Sequence, residues 1–342
     1  MKTLWLHIVR AYLSLGLFFY FKTIKVVHAE NVPKNGAVLF LANHQNALLD
    51  ALLIAVKSGR FSYFLTRASV FKKKVIASIL KSLLMLPVYR VRDGWSNISK
   101  NNSVFSMCAN LLNKGEAITV FPEGNHSLKR RVRPLSKGFT RMVFEALQHN
   151  PELQVKMLPV GFNYSNPTRF GTSVSLNFGA PILVTCEVIK SVDESTKALK
   201  TKVFNQLCEL TTHIPEANYE NDIKTLNDLQ VDFLQPISVN ACIASHFENC
   251  KLAKPNRFSI FKSFFKLLLI IHLFPPYLIW KLVIQPKIKE AEFIDTFRFA
   301  IAITLVPMYM VIVVALLSMF SFKLAVSWFL FVLGITLFSV KL

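Results

Sequence analysis

Apolar positions recur every three or four residues at the start of the chain, at Leu4, Ile8, Tyr12, Leu15 and Phe19, the spacing of one helical face. From residue 27 the pattern changes. Short apolar runs alternate with stretches of helical period, which predicts an α/β domain over 27–219. Strands are expected at 37–41, 61–65, 117–121, 155–162 and 173–178, and helices at 48–57, 71–84, 97–114 and 138–148. The last of these places Phe139, Met142, Val143 and Ala146 on one face.

A polar stretch, expected as a linker over 220–254, leads to a third region over 255–342. Residues 299–320 are 22 positions without a charge and 324–340 are 17 more, which predicts a transmembrane hairpin. Within 264–283 an uncharged run is interrupted by Pro275-Pro276, where a helix must break or kink, so this piece is either a re-entrant dip or a third span. Near the N-terminus the uncharged run 11–21 covers 11 residues, too few to cross a hydrocarbon core of about 30 Å. Residues 1–26 are therefore expected to lie in the interface as an amphipathic anchor rather than to span.

Composition supports the membrane reading. Of 342 residues 52% are hydrophobic, 30 are Phe and only 18% are charged, an excess of apolar side chains over what a soluble domain carries. The net charge of +20 suits an anionic partner. Because cations stand beside apolar runs, as in 71–81 (FKKKVIASILK), that partner is expected to be membrane lipid and not nucleic acid. The five cysteines show no CxxC pair and no metal-ligand spacing. They are expected to be free thiols in a cytosol-facing body with no metal site.

Two polar constellations follow apolar strands. Asn43-His44 leads into a helix bearing Asp50, and a histidine beside a carboxylate is a general-base arrangement. Six steps on a regular helix leave two side chains roughly 120° apart, so this pair meets only if His44 lies in the loop before the helix. The second constellation is Phe121-Pro122-Glu123-Gly124, followed by a basic run that contains Arg130 and Arg131. Glu123 can accept from hydroxyls, Gly124 allows close backbone approach, and the arginines can hold a phosphate. Arg90 and Arg92 alternate on a strand-like stretch (LPVYRVRDG) and so share a face.

These blocks, with Leu158-Pro159-Val160, occur in the order of the glycerolipid acyltransferase superfamily, and the chain resembles that family over residues 43–160. The resemblance implies an α/β fold, an acyltransferase-type mixed sheet flanked by helices. It implies His44 as catalytic base and Asp50 as its partner. Asn43, Arg90, Arg92, Glu123 and Gly124, with Arg130 and Arg131, would bind the substrate. It also implies an acyl-CoA or acyl carrier protein donor, a phosphate-bearing glycerolipid acceptor, and no metal or redox cofactor. Two departures stand out. Five residues separate His44 from Asp50 where four are usual, a spacing that resembles the fungal glycerol-3-phosphate acyltransferase branch, and Asn125-His126 replace the usual small hydroxylated residue and arginine. The expected function is acyl transfer to 1-acyl-glycerol-3-phosphate, with glycerol-3-phosphate or another lysophospholipid as the alternative acceptor and a silent lipid-binding scaffold as the non-enzyme alternative.

Overall fold

The computed structural model describes residues 2–89, 101–189, 191–253 and 259–342. Its strands are β1 (Thr23–Val27), β2 (Ala37–Ala42), β3 (Ser62–Arg67), β4 (Met85–Val88), β5 (Ala117–Val120), β6 (Val155–Tyr164), β7 (Ser173–Phe178) and β8 (Ile182–Val184). Helices α1 (Lys2–Tyr20), α2 (Ala47–Lys57), α3 (Lys74–Ser82), α4 (Asn101–Asn113), α5 (Gly138–His149) and α6 (Val192–Leu210) accompany the sheet. Beyond it lie α7 (Tyr219–Asp228), α8 (Pro236–Ala244), α9 (Ser259–His272), α10 (Phe274–Leu278), α11 (Ile294–Ile303), α12 (Leu305–Ser318) and α13 (Phe322–Lys341).

The strand order is β1-β7-β6-β2-β5-β3-β4, with β8 paired to the first residues of β6. All pairs are parallel except β6 with β7 and β6 with β8, so the sheet is mixed, as expected. The centre is buried on both faces, which explains why β2 reads as an uninterrupted apolar run rather than an alternating one. Side chains still divide by parity. Leu39 and Leu41 pack with Ile118, Cys108 and Phe139 under α4 and α5, whereas Val38 and Phe40 pack with Leu53, Phe162 and Leu176 on the opposite face. Leu17 and Phe21, at the end of α1 and just beyond it, are fully buried in that second cluster, each burial contributing about 1.5–3 kcal/mol.

The registers place the two constellations side by side. Leu41 of β2 is level with Val120 of β5, and Ala42 of β2 with Val160 of β6. Because these strands are parallel, the segments that follow β2 and β5 leave the sheet at the same edge, where α/β folds collect their functional groups.

The elements depart from the sequence pattern in several places. Strand β1 begins at Thr23, inside the stretch expected as anchor, because its backbone completes the sheet edge against β7. The helix expected at 71–84 starts only at Lys74, after a 3₁₀ turn over Ala68–Phe71. The stretch 220–254 is not a linker. It folds into α7 and α8 around Tyr219, Leu226, Val231, Phe233 and Val239, apolar residues too widely spaced to stand out in a polar context.

Cys242 and Cys250 form a disulfide, contrary to the expectation of free thiols. Left-handed backbone at His246 and Phe247 turns the chain back after α8, and the Phe247 amide donates to the Cys242 carbonyl at 2.8 Å. Cysteine usage therefore no longer supports a cytosolic placing. Cys108 and Cys208 keep thiols that burial pushes up to about 12 and about 11.

Among the described residues three helical stretches are long and apolar enough to cross a membrane: Thr3–Tyr20, Ala291–Ser318 and Phe322–Lys341. The first differs from the interfacial expectation, since by length and hydropathy it qualifies as a span despite Arg10. The second is α11 and α12 joined at Thr304, and α12 packs against α13, which Ser321 caps. Residues Ile260–His272 and Phe274–Lys287 bend by 99° at the Leu273 break, next to the Pro275-Pro276 pair that removes two backbone donors. By length and composition the bent pair is a broken span or a re-entrant loop.

Candidate active site

Helix α2 begins only at Ala47, so His44 lies in the loop before it and escapes the 120° offset that a continuous helix would impose. The turn is sharp. Ala47 has a φ of 38°, left-handed backbone that a residue with a side chain adopts at a cost. The turn brings His44 Nδ1 to 2.9 Å from Asp50 Oδ2. The same oxygen accepts from the Asn46 amide at 2.8 Å, and Oδ1 accepts from the Tyr164 hydroxyl at 2.6 Å. Asp50 is fully buried and has three partners for its charge.

Burial, and then the charge of Asp50, push the Tyr164 phenol well above its ordinary range, so it remains a donor at every physiological pH. With Nδ1 directed at Asp50, Nε2 is the nitrogen left to accept a proton. The ring is fixed by stacking on Phe121, centroids 3.9 Å apart and planes 14° from parallel. Its side chain retains 12% exposure, enough for a substrate hydroxyl to reach.

Glu123 lies in the turn three residues after β5, at the same end of the sheet as His44. Its side chain is 2% exposed and paired with Arg133, whose Nε donates at 2.8 Å. Arg133 also bonds Asn125 through its side-chain oxygen and its carbonyl. Burial outweighs the arginine's charge and leaves the Glu123 carboxyl above its ordinary range. Gly124 has a φ of 78° and no atom within 4 Å of where a Cβ would sit, so its backbone is open to approach.

Several expected substrate-binding residues are engaged elsewhere. Asn43 spans two strands, donating to the Phe162 carbonyl at 3.2 Å and accepting from the Phe162 amide at 2.7 Å, which ties the loop to β6. Arg130 is buried, donates to the carbonyls of Tyr164 and Ser165 and stacks 3.7 Å from the Phe233 ring centroid. Burial lowers its pKa to about 10, so it remains a cation but points inward. Arg131 pairs with Glu216 at 2.8 Å. The physical reason is that the folded segment after α6 closes over this basic run, with the Tyr219 hydroxyl accepting from the Arg130 amide and His213 from the Val132 amide. Arg90 and Arg92 lie outside the described residues.

The C-terminal region contributes a wall that hydropathy alone did not reveal. The His126 ring is edge-on to His44 with centroids 5.8 Å apart, packs on Phe293 and lies 3.7 Å from Glu290. Leu48 donates its amide to Thr296, and the Asn46 side chain donates to Pro167 and, at 3.4 Å, to buried Asp295. Asp295 is held in turn by Arg298 at 2.8 Å. A buried Asp and its arginine at i,i+3 near the start of an apolar helix were the available signal. Among the described residues one group, His126 with Glu290 and Glu292, brings ligand-type atoms within 4.8 Å of one another.

Comparison with known proteins gives the following similarities. Residues 23–163 match the family model described as Acyltransferase. An uncharacterized acyltransferase of Schizosaccharomyces pombe is 29% identical over 60% of this chain and 43% of its own length. Glycerol-3-phosphate O-acyltransferase 2 of Saccharomyces cerevisiae is 22% identical over 62% of this chain and 43% of its own. A probable 1-acyl-sn-glycerol-3-phosphate acyltransferase of Mycoplasma pneumoniae is 28% identical over 40% and 51%. The chain thus spans less than half the length of the two yeast proteins. The crystal structure of the 1-acyl-sn-glycerophosphate acyltransferase PlsC from Thermotoga maritima is similar at 21% identity and a TM-score of 0.45, over 61% of this chain and 81% of that one.

Proposed function

We propose that this chain, whose residues 23–163 match the family model described as Acyltransferase, is a membrane-bound O-acyltransferase of phospholipid synthesis that uses His44 as its general base. The observation that carries the reading is the buried Asp50 bonded at 2.9 Å to His44 Nδ1, which leaves Nε2 to work. In the proposed reaction Nε2 takes the proton of an acceptor hydroxyl, and the oxygen attacks the thioester carbonyl of acyl-CoA or acyl carrier protein. The carbon–sulfur bond then breaks, and the thiol leaves with the proton that His44 returns. No covalent acyl-enzyme, metal or redox cofactor enters this scheme.

The acceptor on this reading is 1-acyl-glycerol-3-phosphate, an amphiphile suited to a site walled by Phe293, Asp295 and Thr296 at the start of an apolar helical stretch. Glycerol-3-phosphate is the second reading, favoured by the yeast relative of that name and by the His44–Asp50 spacing. The catalytic face is proposed to look into the cytosol, since cations such as Lys262, Lys266, Lys281, Lys287 and Arg298 flank the bent segment on both sides. Acyl transfer by the purified full chain, with labelled acyl-CoA or acyl carrier protein and each acceptor in turn, tests the proposal. Turnover with one acceptor names the substrate, and folded protein that is inactive in every pairing contradicts the enzyme reading.

A further inference from the structure

A cavity of about 1090 Å³ lies between α1, residues 168–170 of the β6–β7 connection, the bent α9–α10 segment, α11, α12 and α13. Its walls are largely apolar, with Phe19, Leu269, Leu273, Val314 and Phe329 among them. Its size slightly exceeds the roughly 300–1,000 Å³ typical of small-molecule sites. Four cations also line it, Arg169, Lys266, Lys281 and Arg298, and no carboxylate does. Lys266 lies within electrostatic reach of both Arg169 and Arg298, and Arg298 sits 5.0 Å from the Trp280 ring centroid. Asp295, outside the lining, already pairs with Arg298, but the remaining like charges beside apolar walls repel one another and lose hydration, costs that an anion at their centre offsets.

We propose that this cavity binds an anionic phospholipid of the membrane, its phosphate among Arg169, Lys266 and Arg298 and its acyl chains along the apolar walls. This is a site separate from the one at His44. Nothing in it depends on acyl transfer, only on the C-terminal helices lying in lipid. Occupancy also has a route to the catalytic loop, since Arg298 holds Asp295, which accepts from the side chain of Asn46, two residues from His44. Gly16 lets α1 close one side of the cavity, because a Cβ there would meet Ile303 Cγ2 at 2.6 Å.

The test is photo-crosslinking of the full chain in nanodiscs. The probe is phosphatidic acid with a diazirine near the end of one acyl chain, and a phosphatidylcholine analogue is the control. The expected result is saturable labelling at least about tenfold stronger for phosphatidic acid, with adducts mapped to cavity-lining residues of α9, α12 and α13. Unlabelled phosphatidic acid should displace the probe and acyl-CoA should not. The double substitution Arg169→Gln/Lys266→Gln should cut labelling about tenfold, and Val314→Trp, which fills the apolar part, should do so independently. His44→Ala should leave labelling unchanged, which separates this site from the catalytic reading. Equal labelling by both lipids, adducts confined to outer helix faces, indifference to both variants, or displacement by acyl-CoA would each overturn the proposal.

Discussion

Two carboxylates stand at neighbouring strand ends of one sheet, and their surroundings differ in kind. Asp50, after β2, is bonded by a backbone amide, a phenol and a histidine ring. Glu123, after β5, is paired with the guanidinium of Arg133. Neutral donors stabilise the Asp50 charge while leaving it free to favour a proton on His44, so on the proposed reading that residue orients and polarises a base. A fixed arginine cancels the charge of Glu123 and holds the 123–133 loop in place, so that pair is arranged for geometry. Equal burial therefore does not mean equal roles.

The largest expected effect breaks the first environment. Asp50→Asn should lower kcat about 10²–10⁴-fold, because the amide no longer favours the Nδ1–H tautomer and cannot balance an imidazolium. A loss below tenfold in folded protein would erase the distinction between the two carboxylates. The second environment should break through stability instead. Arg133→Ala leaves Glu123 buried without its cation and should cost about 3–5 kcal/mol in denaturation measurements, whereas Arg133→Met combined with Glu123→Gln should recover most of it. Should the double variant be as unstable as the single one, the pair is not the source of the loss.

Tyr164→Phe sharpens the comparison from the other side. Removing one donor from Asp50 should cost about 1.5–3 kcal/mol of stability, with a smaller fall in kcat than Asp50→Asn, since the His44 contact survives. The smallest effect concerns pH. Burial holds the Glu123 carboxyl above its ordinary range, so the folded chain binds that proton more tightly than the unfolded chain. The contribution is fully present below the unfolded carboxylate value and is lost as pH rises through the folded one. Melting temperatures from pH 4 to 8 should therefore decline less steeply for Glu123→Gln than for the parent protein, and identical slopes would refute this assignment.

Legibility followed the range of the interactions. Residue spacing alone required His44 to lie off the helix for Asp50 to reach it, and the loop before α2 does this. The strands at the sheet centre were visible because burial on both faces forces unbroken apolar runs. Edge strand β1 and the three-residue β8 carry too few residues to show a period. Arg130 and Arg131 read as phosphate ligands because their partners, Phe233 and Glu216, lie far along the chain in a segment that looked like a linker. The disulfide was hidden because Cys242 and Cys250 fit no short motif. The wall built by Phe293, Asp295 and Thr296 was missed for a related reason: hydropathy reports that a helix is apolar and not what its first turn touches.

The central claim is that His44 takes the proton in acyl transfer, and the most direct measurement compares the parent chain with His44→Ala at saturating donor and acceptor, both shown folded by their melting curves. The account predicts a fall in kcat of about 10³-fold or more, with acceptor KM changed little because His44 is not its anchor. Retention of activity within tenfold of the parent would contradict it.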